Sequence, residues 1–149
     1  MACPYFYPVE RSFAIGWAFP ARLPLGAGYC GTCRAGGMEV TPTDAELRDY
    51  CNLGYAKGCE KMPVDCYADC VRFALSKDEG TKIILQFVYE RAHEPVKHGV
   101  VEYDCLAHTW TLSLNDVCVQ RQAECYLAAY LERRPRTKVP SPGAEGDSR

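Results

Sequence analysis

The sequence has no run of eighteen apolar residues; its longest apolar stretches are broken by Arg, Lys or Glu within a few positions, which excludes a membrane-spanning helix. Met1-Ala2-Cys3-Pro4-Tyr5-Phe6 lacks the cationic segment followed by an apolar one that marks a secretory leader, so a cytoplasmic location is expected. Positive charge is not in excess either, 17 Lys and Arg standing against 19 Asp and Glu. Nucleic-acid affinity comes largely from clustered basic side chains that displace counterions, so nucleic acid is not an expected partner. A phosphate-binding glycine loop, a nucleophile elbow, a zinc-protease helix and a C-x-x-x-C-x-x-C run are all absent, and so is any internal repeat. Nothing here points to an enzyme acting by itself.

What is present in excess is cysteine. There are ten in 149 residues, at positions 3, 30, 33, 51, 59, 66, 70, 105, 118 and 125. In a reducing compartment persistent disulfides are rare, and clustered cysteines are more often metal or redox sites. The chain length fits one domain with a real core. Residues 1–134 are expected to form it and 135–149, rich in Pro, Gly, Ser and charge, to be a disordered tail.

The expected fold is α+β: an antiparallel sheet of about four strands covered by a C-terminal helix, with a loop-rich N-terminal cysteine-metal region. Residues 1–65 form that region and 66–134 the sheet and helix. Residues 1–42 hold five prolines and six glycines without sustained periodicity, which reads as loop. Their many aromatic and aliphatic side chains (Tyr5, Phe6, Tyr7, Phe13, Ile15, Trp17, Phe19, Leu23, Leu25) are too numerous for a solvated tail, so a cross-link must hold the segment in place. Thr43 and Glu46 fit a capping box that opens a short helix from Asp44 to Cys51, with Cys59 in a loop punctuated by Gly54 and Gly58.

From Val71 the apolar period changes to two. Val71, Phe73 and Leu75, then Ile83, Leu85, Phe87 and Tyr89, form a hairpin around Asp78-Glu79-Gly80, and two more strands follow over Val101–Cys105 and Trp110–Leu114. Asn115 is a suitable cap for a helix reaching Arg134. Between strands, Glu90, His93, Glu94 and His98 read as a polar connection in solvent, and Arg133, Arg134, Arg136 and Lys138 as a helix end running into the tail.

Cys30-Gly31-Thr32-Cys33 is the only C-x-x-C, a spacing that lets two thiolates face one ion. It resembles the redox dithiol of thioredoxins over these four residues. That resemblance implies a thiol-disulfide redox protein using Cys30 and Cys33, and it requires a strand before the motif and a helix after it. Cys51 and Cys59 bracket a glycine-bearing loop whose N–H groups can approach anionic sulfur. Cys3 precedes a proline, and Cys3-Pro4 is similar to the ligand–proline pair of bacterial ferredoxins.

A four-thiolate site is expected from Cys3, Cys33, Cys51 and Cys59, with Cys30 as the alternate ligand because spacing does not choose between it and Cys33. No histidine lies near, only one close cysteine pair exists, and the aromatic residues supply an apolar shell, so an iron–sulfur cluster of the 4Fe–4S type is favoured over zinc. The expected role is electron transfer or redox sensing with a protein redox or interaction partner. The alternative is an interaction module stapled by structural zinc and without catalytic activity. Cys105, Cys118 and Cys125 read as core thiols, while Cys66 and Cys70, four apart, could share a helical face but lack a third ligand.

Overall fold

The computed structural model describes residues 1–17, 22–54 and 58–134; the expected tail over 135–149 lies outside them. Its larger sheet has four antiparallel strands in sequence order, β3 (Cys70–Asp78), β4 (Lys82–Arg91), β5 (Glu94–Asp104) and β6 (Thr109–Leu112), preceded by a two-stranded sheet of β1 (Phe6–Arg11) and β2 (Tyr29–Cys33). A helical turn α1 (Asp44–Glu46) runs into a π-helical turn over Leu47–Cys51, and the long helix α2 (Val117–Arg133) ends the fold. The fold is α+β, with the four-stranded sheet and C-terminal helix that periodicity predicts.

Periodicity succeeds in the large sheet because one face is buried and the other is not. Ile83, Leu85, Phe87 and Tyr89 alternate with Ile84, Gln86, Val88 and Glu90, and the first set is in the core. Val71 and Val101 flank them from β3 and β5, and Phe6, Leu25, Tyr29, Val119, Ala123 and Leu127 close over them. The helix crosses this inner face. Tyr126 packs on Phe73 with ring centroids 5.8 Å apart, and Arg134 anchors the helix end to Asp78 at 2.7 Å.

Several boundaries differ from expectation, each for a local reason. Residues 1–42 are not wholly loop, because β1 and β2 pair through them. Pro8 and Gly31, which read as strand breakers, are opposite one another in this ribbon. A proline is tolerated where no partner needs its missing N–H, and a Cβ on Gly31 would overlap the Tyr7 carbonyl oxygen. Strand β5 begins at Glu94 rather than near Val100, because Ala92 and His93 form a two-residue turn with φ of 52° and 67° and lack the Asn-Gly signature of such turns. The Asp69 carboxylate accepts from Ala92 N–H at 2.9 Å and steadies it.

The polar group between strands is therefore dispersed. Glu90 is buried on β4 and paired with Arg72 at 2.7 Å, while His93 lies in the turn and Glu94 and His98 are exposed on or at the start of β5. Helix α2 is capped by Asp116, one residue beyond Asn115, with its carboxylate accepting from Val119 N–H at 3.2 Å. Cys66 lies in irregular backbone and Cys70 opens β3, so the two share no helix. Among the described residues no helix is long and apolar enough to cross a membrane.

One polar side chain joins α2 to the start of the chain. Gln122 is fully buried, and its Nε2 donates to the carbonyls of Cys3 and Phe6, both at 2.7 Å. Replacing it by Ala takes this donor from both carbonyls, leaving the Cys3 carbonyl with only the Phe6 N–H at 3.1 Å, and opens a small void. Gln122→Ala is expected to lower stability by about 2–4 kcal/mol, read as a shift in the urea midpoint at unchanged slope.

Candidate metal centre

Four separated segments bring Cys3, Cys33, Cys51 and Cys59 to the walls of one small pocket of about 10 Å³, open on one side. Tyr5, Phe6, Tyr50, Met62, Ala35 and Pro42 supply apolar wall between them, and Glu46 and Lys61 are the charged lining residues.

Each cysteine is held by backbone. Ala2 exchanges two hydrogen bonds with Val71 on the edge strand β3, at 2.7 and 2.8 Å, and Cys3 N–H then donates to the Cys51 carbonyl at 3.1 Å. Cys33 ends β2, paired with Phe6 on one side and exchanging bonds of 2.7 and 2.9 Å with Val40 on the other. Cys51 ends the π-helical turn that continues α1, and the capping box at Thr43 and Glu46 starts α1 as its sequence predicts. Gly54 follows with φ of 77° and packs so closely that a Cβ there would meet the Ala2 nitrogen and the Cys70 Cβ at 3.0 Å. Cys59 is half-buried in a turn closed by Met62 N–H to the Cys59 carbonyl at 3.1 Å. Lys61 ties that turn to α1 through Glu46, with Nζ at 2.7 Å from Oε2.

Asn52 sets the position of Cys51 relative to Cys33. It is buried, its Oδ1 accepts from Tyr29 N–H at 3.0 Å, and its Nδ2 donates to the carbonyls of Tyr29 at 3.0 Å and Leu47 at 2.9 Å. The side chain completes the edge of β2 and binds the π-helical turn to it. Asn52 and Gln122 are the residues that sequence reasoning misses; a polar side chain in a helix or turn gives no sign of being buried until its partners are known.

Strand geometry separates the two members of the C-x-x-C. Cys33 is buried and lines the pocket, whereas Cys30 is half-buried and its Sγ donates to the Glu10 carbonyl at 3.5 Å. Residues three apart on an extended strand have Cα atoms about 10 Å apart, beyond the roughly 7 Å that a disulfide spans. The motif thus lies within a strand rather than at a strand-to-helix turn, and β2 would have to unpair before these two sulfurs met. Period-two spacing of Tyr29, Gly31 and Cys33 was the signal that could have chosen Cys33.

Burial pushes the Cys3 thiol up to about 12, with the neighbouring Cys33, Cys59 and Cys118 adding to it and the Tyr5 backbone hydrogen bond opposing it. Cys51 is raised further, again by burial first, and then by Cys3, Cys33, Cys59 and Glu46. Buried thiolates close to one another are unfavourable without a cation among them. At neutral pH these thiols are therefore protonated and uncharged. Among the described residues, no group of three or more His, Cys, Asp or Glu side chains is placed to hold a metal ion.

The other cysteines stand apart from the pocket. Cys118 lies behind its wall, with Sγ 3.7 Å from the Tyr5 carbonyl and its thiol pushed up to about 11, chiefly by burial. Cys125 and Cys70 are buried, while Cys66 and Cys105 are half-buried. All ten are free thiols. Neither family models, nor curated proteins, nor solved structures give a match to this chain.

The raised thiols fix a pH dependence for the metal-free protein. An acid whose folded pKa exceeds its unfolded value binds more protons when folded, so stability falls as pH rises between the two. For Cys3 that window runs from 9.0 to about 12. Urea midpoints of the metal-free, reduced protein are expected to fall across this range, and Cys3→Ala to flatten the decline.

Proposed function

We propose that this protein binds an iron–sulfur cluster, of the 4Fe–4S type, through Cys3, Cys33, Cys51 and Cys59, and acts in electron transfer or redox sensing with a protein redox partner in a reducing, cytoplasmic setting. The observation that carries the reading is that these four thiols, from four separate segments, line one largely apolar pocket. Cys30 takes no part.

The apolar wall favours a cluster over a single ion. Tyr5, Phe6, Tyr50 and Met62 restrict water, and the Tyr5 backbone hydrogen bond to the Cys3 sulfur is the kind of donor that stabilises cluster-bound thiolate. A bound cluster supplies reversible one-electron chemistry. The chain's residues hold the thiolates, exclude solvent, and set Lys61 beside them as a partly neutralised cation.

Anaerobic purification tests this. The expected product is brown, with iron and acid-labile sulfide in equal amounts and an electron paramagnetic resonance signal on reduction. Serine at position 3, 33, 51 or 59 should remove most of the iron, while Cys30→Ser and Cys105→Ser should retain it. A colourless protein carrying stoichiometric zinc would establish the structural-zinc module instead.

A further inference from the structure

A second cavity, larger than the cysteine pocket and sharing no lining residue with it, opens between α2 and the edge of the large sheet, with a volume of about 310 Å³. One wall is aromatic. Tyr103 on β5 and Trp110 on β6 are directly opposed in the strand register, and their rings meet at 65° with centroids 5.2 Å apart. The other wall is helical. Glu124, Leu127, Ala128 and Leu131 follow one another at helical spacing and share one face of α2. His108, in the turn between β5 and β6 with φ of 54°, completes the lining.

This lining suits a cation that brings few hydrogen-bond donors. Glu124 is its acidic side chain, and among the described residues no Lys or Arg lines it. The Glu124 carboxylate meets Arg121 at 3.3 Å, but that guanidinium also donates to the Pro8 and Val9 carbonyls at 2.8 and 2.9 Å. Both side chains keep contact with solvent, so the pair is weak and Glu124 retains attraction for a second cation. Trp and Tyr faces attract cations through their ring quadrupoles, Trp most strongly. A primary ammonium has three N–H donors to place, whereas rings and aliphatic side chains make up most of these walls. Methyl groups on the nitrogen fit them better. The volume is at the lower end of the range for small-molecule sites, about 300–1,000 Å³.

We propose that this cleft binds a small free quaternary ammonium compound of the size of choline, its methylated nitrogen set against the Trp110 and Tyr103 rings and its charge balanced by Glu124. The inference is independent of what the cysteine pocket holds. Leu127 and Leu131 supply apolar surface for the methyl groups and for the ligand's carbon chain. Neither the Tyr103 hydroxyl nor the Trp110 indole N–H has a hydrogen-bond partner among the described residues, so a ligand hydroxyl pairs with either one at no loss to the fold.

The test titrates choline into the isotope-labelled 149-residue chain and follows the two tryptophan indole N–H resonances. Trp17, whose indole N–H donates to the Ser12 carbonyl at 2.9 Å and which does not line the cleft, is the internal reference. The Trp110 resonance should shift saturably, with a dissociation constant on the order of millimolar, while that of Trp17 stays in place. The neutral isostere, with carbon in place of the charged nitrogen, should move neither. Saturation transfer to the choline methyl protons gives a second readout that does not need the indole. By that readout Glu124→Gln should weaken binding about tenfold, Trp110→Leu should abolish it and Trp110→Phe should retain part of it, in variants whose amide spectra are otherwise unchanged. A Trp110 resonance that ignores choline, equal binding of the isostere, or unchanged affinity in Glu124→Gln and Trp110→Leu overturns the proposal. So does a Trp110 shift driven by protein concentration alone, which marks a second copy in the cleft, and so does a trimethyllysine peptide that binds more tightly than choline.

Discussion

Four elements meet at the turn over residues 2–6. Its backbone pairs with β3 through Ala2, with the π-helical turn through Cys3, with β2 through Phe6, and with α2 through Gln122. Each of these bonds is buried, so none is replaced by water if it breaks, and leaving one unmade costs more than the bond itself contributes. The turn is also the point at which the large sheet and the small sheet share a core. Phe6 packs in one cluster with Ile83, Leu85 and Val101 from the larger sheet and with Tyr29 from the smaller. The position of Cys3 follows from this network rather than from any local preference.

The pocket results from the same convergence. Its four cysteines end or interrupt regular elements: Cys33 closes a strand, Cys51 closes a helical turn, and Cys3 and Cys59 lie in turns. At such positions the backbone is free to change direction, and sulfur can be aimed inward without disturbing a ladder. Burial then makes the Cys3 and Cys51 thiols poor acids. The four thiols come together only when both sheets and α2 are in place. The aromatic residues on one side of the pocket continue outward, Tyr5 meeting Tyr67 edge-on.

Much of the architecture was legible before any coordinates. Alternation over Val71–Leu75 and Ile83–Tyr89 identified the central hairpin because one face is buried and the other wet. Thr43 and Glu46 announced the first helical turn because a capping box is local chemistry within four residues. The ribbon of β1 and β2 was not legible, since Pro8 and Gly31 are permitted there by each other's position across the pair. The turn at Ala92 and His93 was hidden for a similar reason: the strands and Asp69 impose left-handed φ on residues that do not prefer it.

The sequence by itself determined which residue types were available to the site: ten thiols, few of them in periodic segments, and an aromatic-rich first third with no core pattern of its own. It also determined the antiparallel sheet and the terminal helix, because their periodicities arise from burial of one face. Only the tertiary structure decided that Cys33 and not Cys30 faces the pocket, as that choice depends on the pairing of β2 with β1. It alone decided that Asn52 and Gln122 are interior residues, and that Tyr5 touches both the pocket and Tyr67. These are relations between segments distant in the chain; a backbone carbonyl or an aromatic face becomes a partner only when folding brings it near.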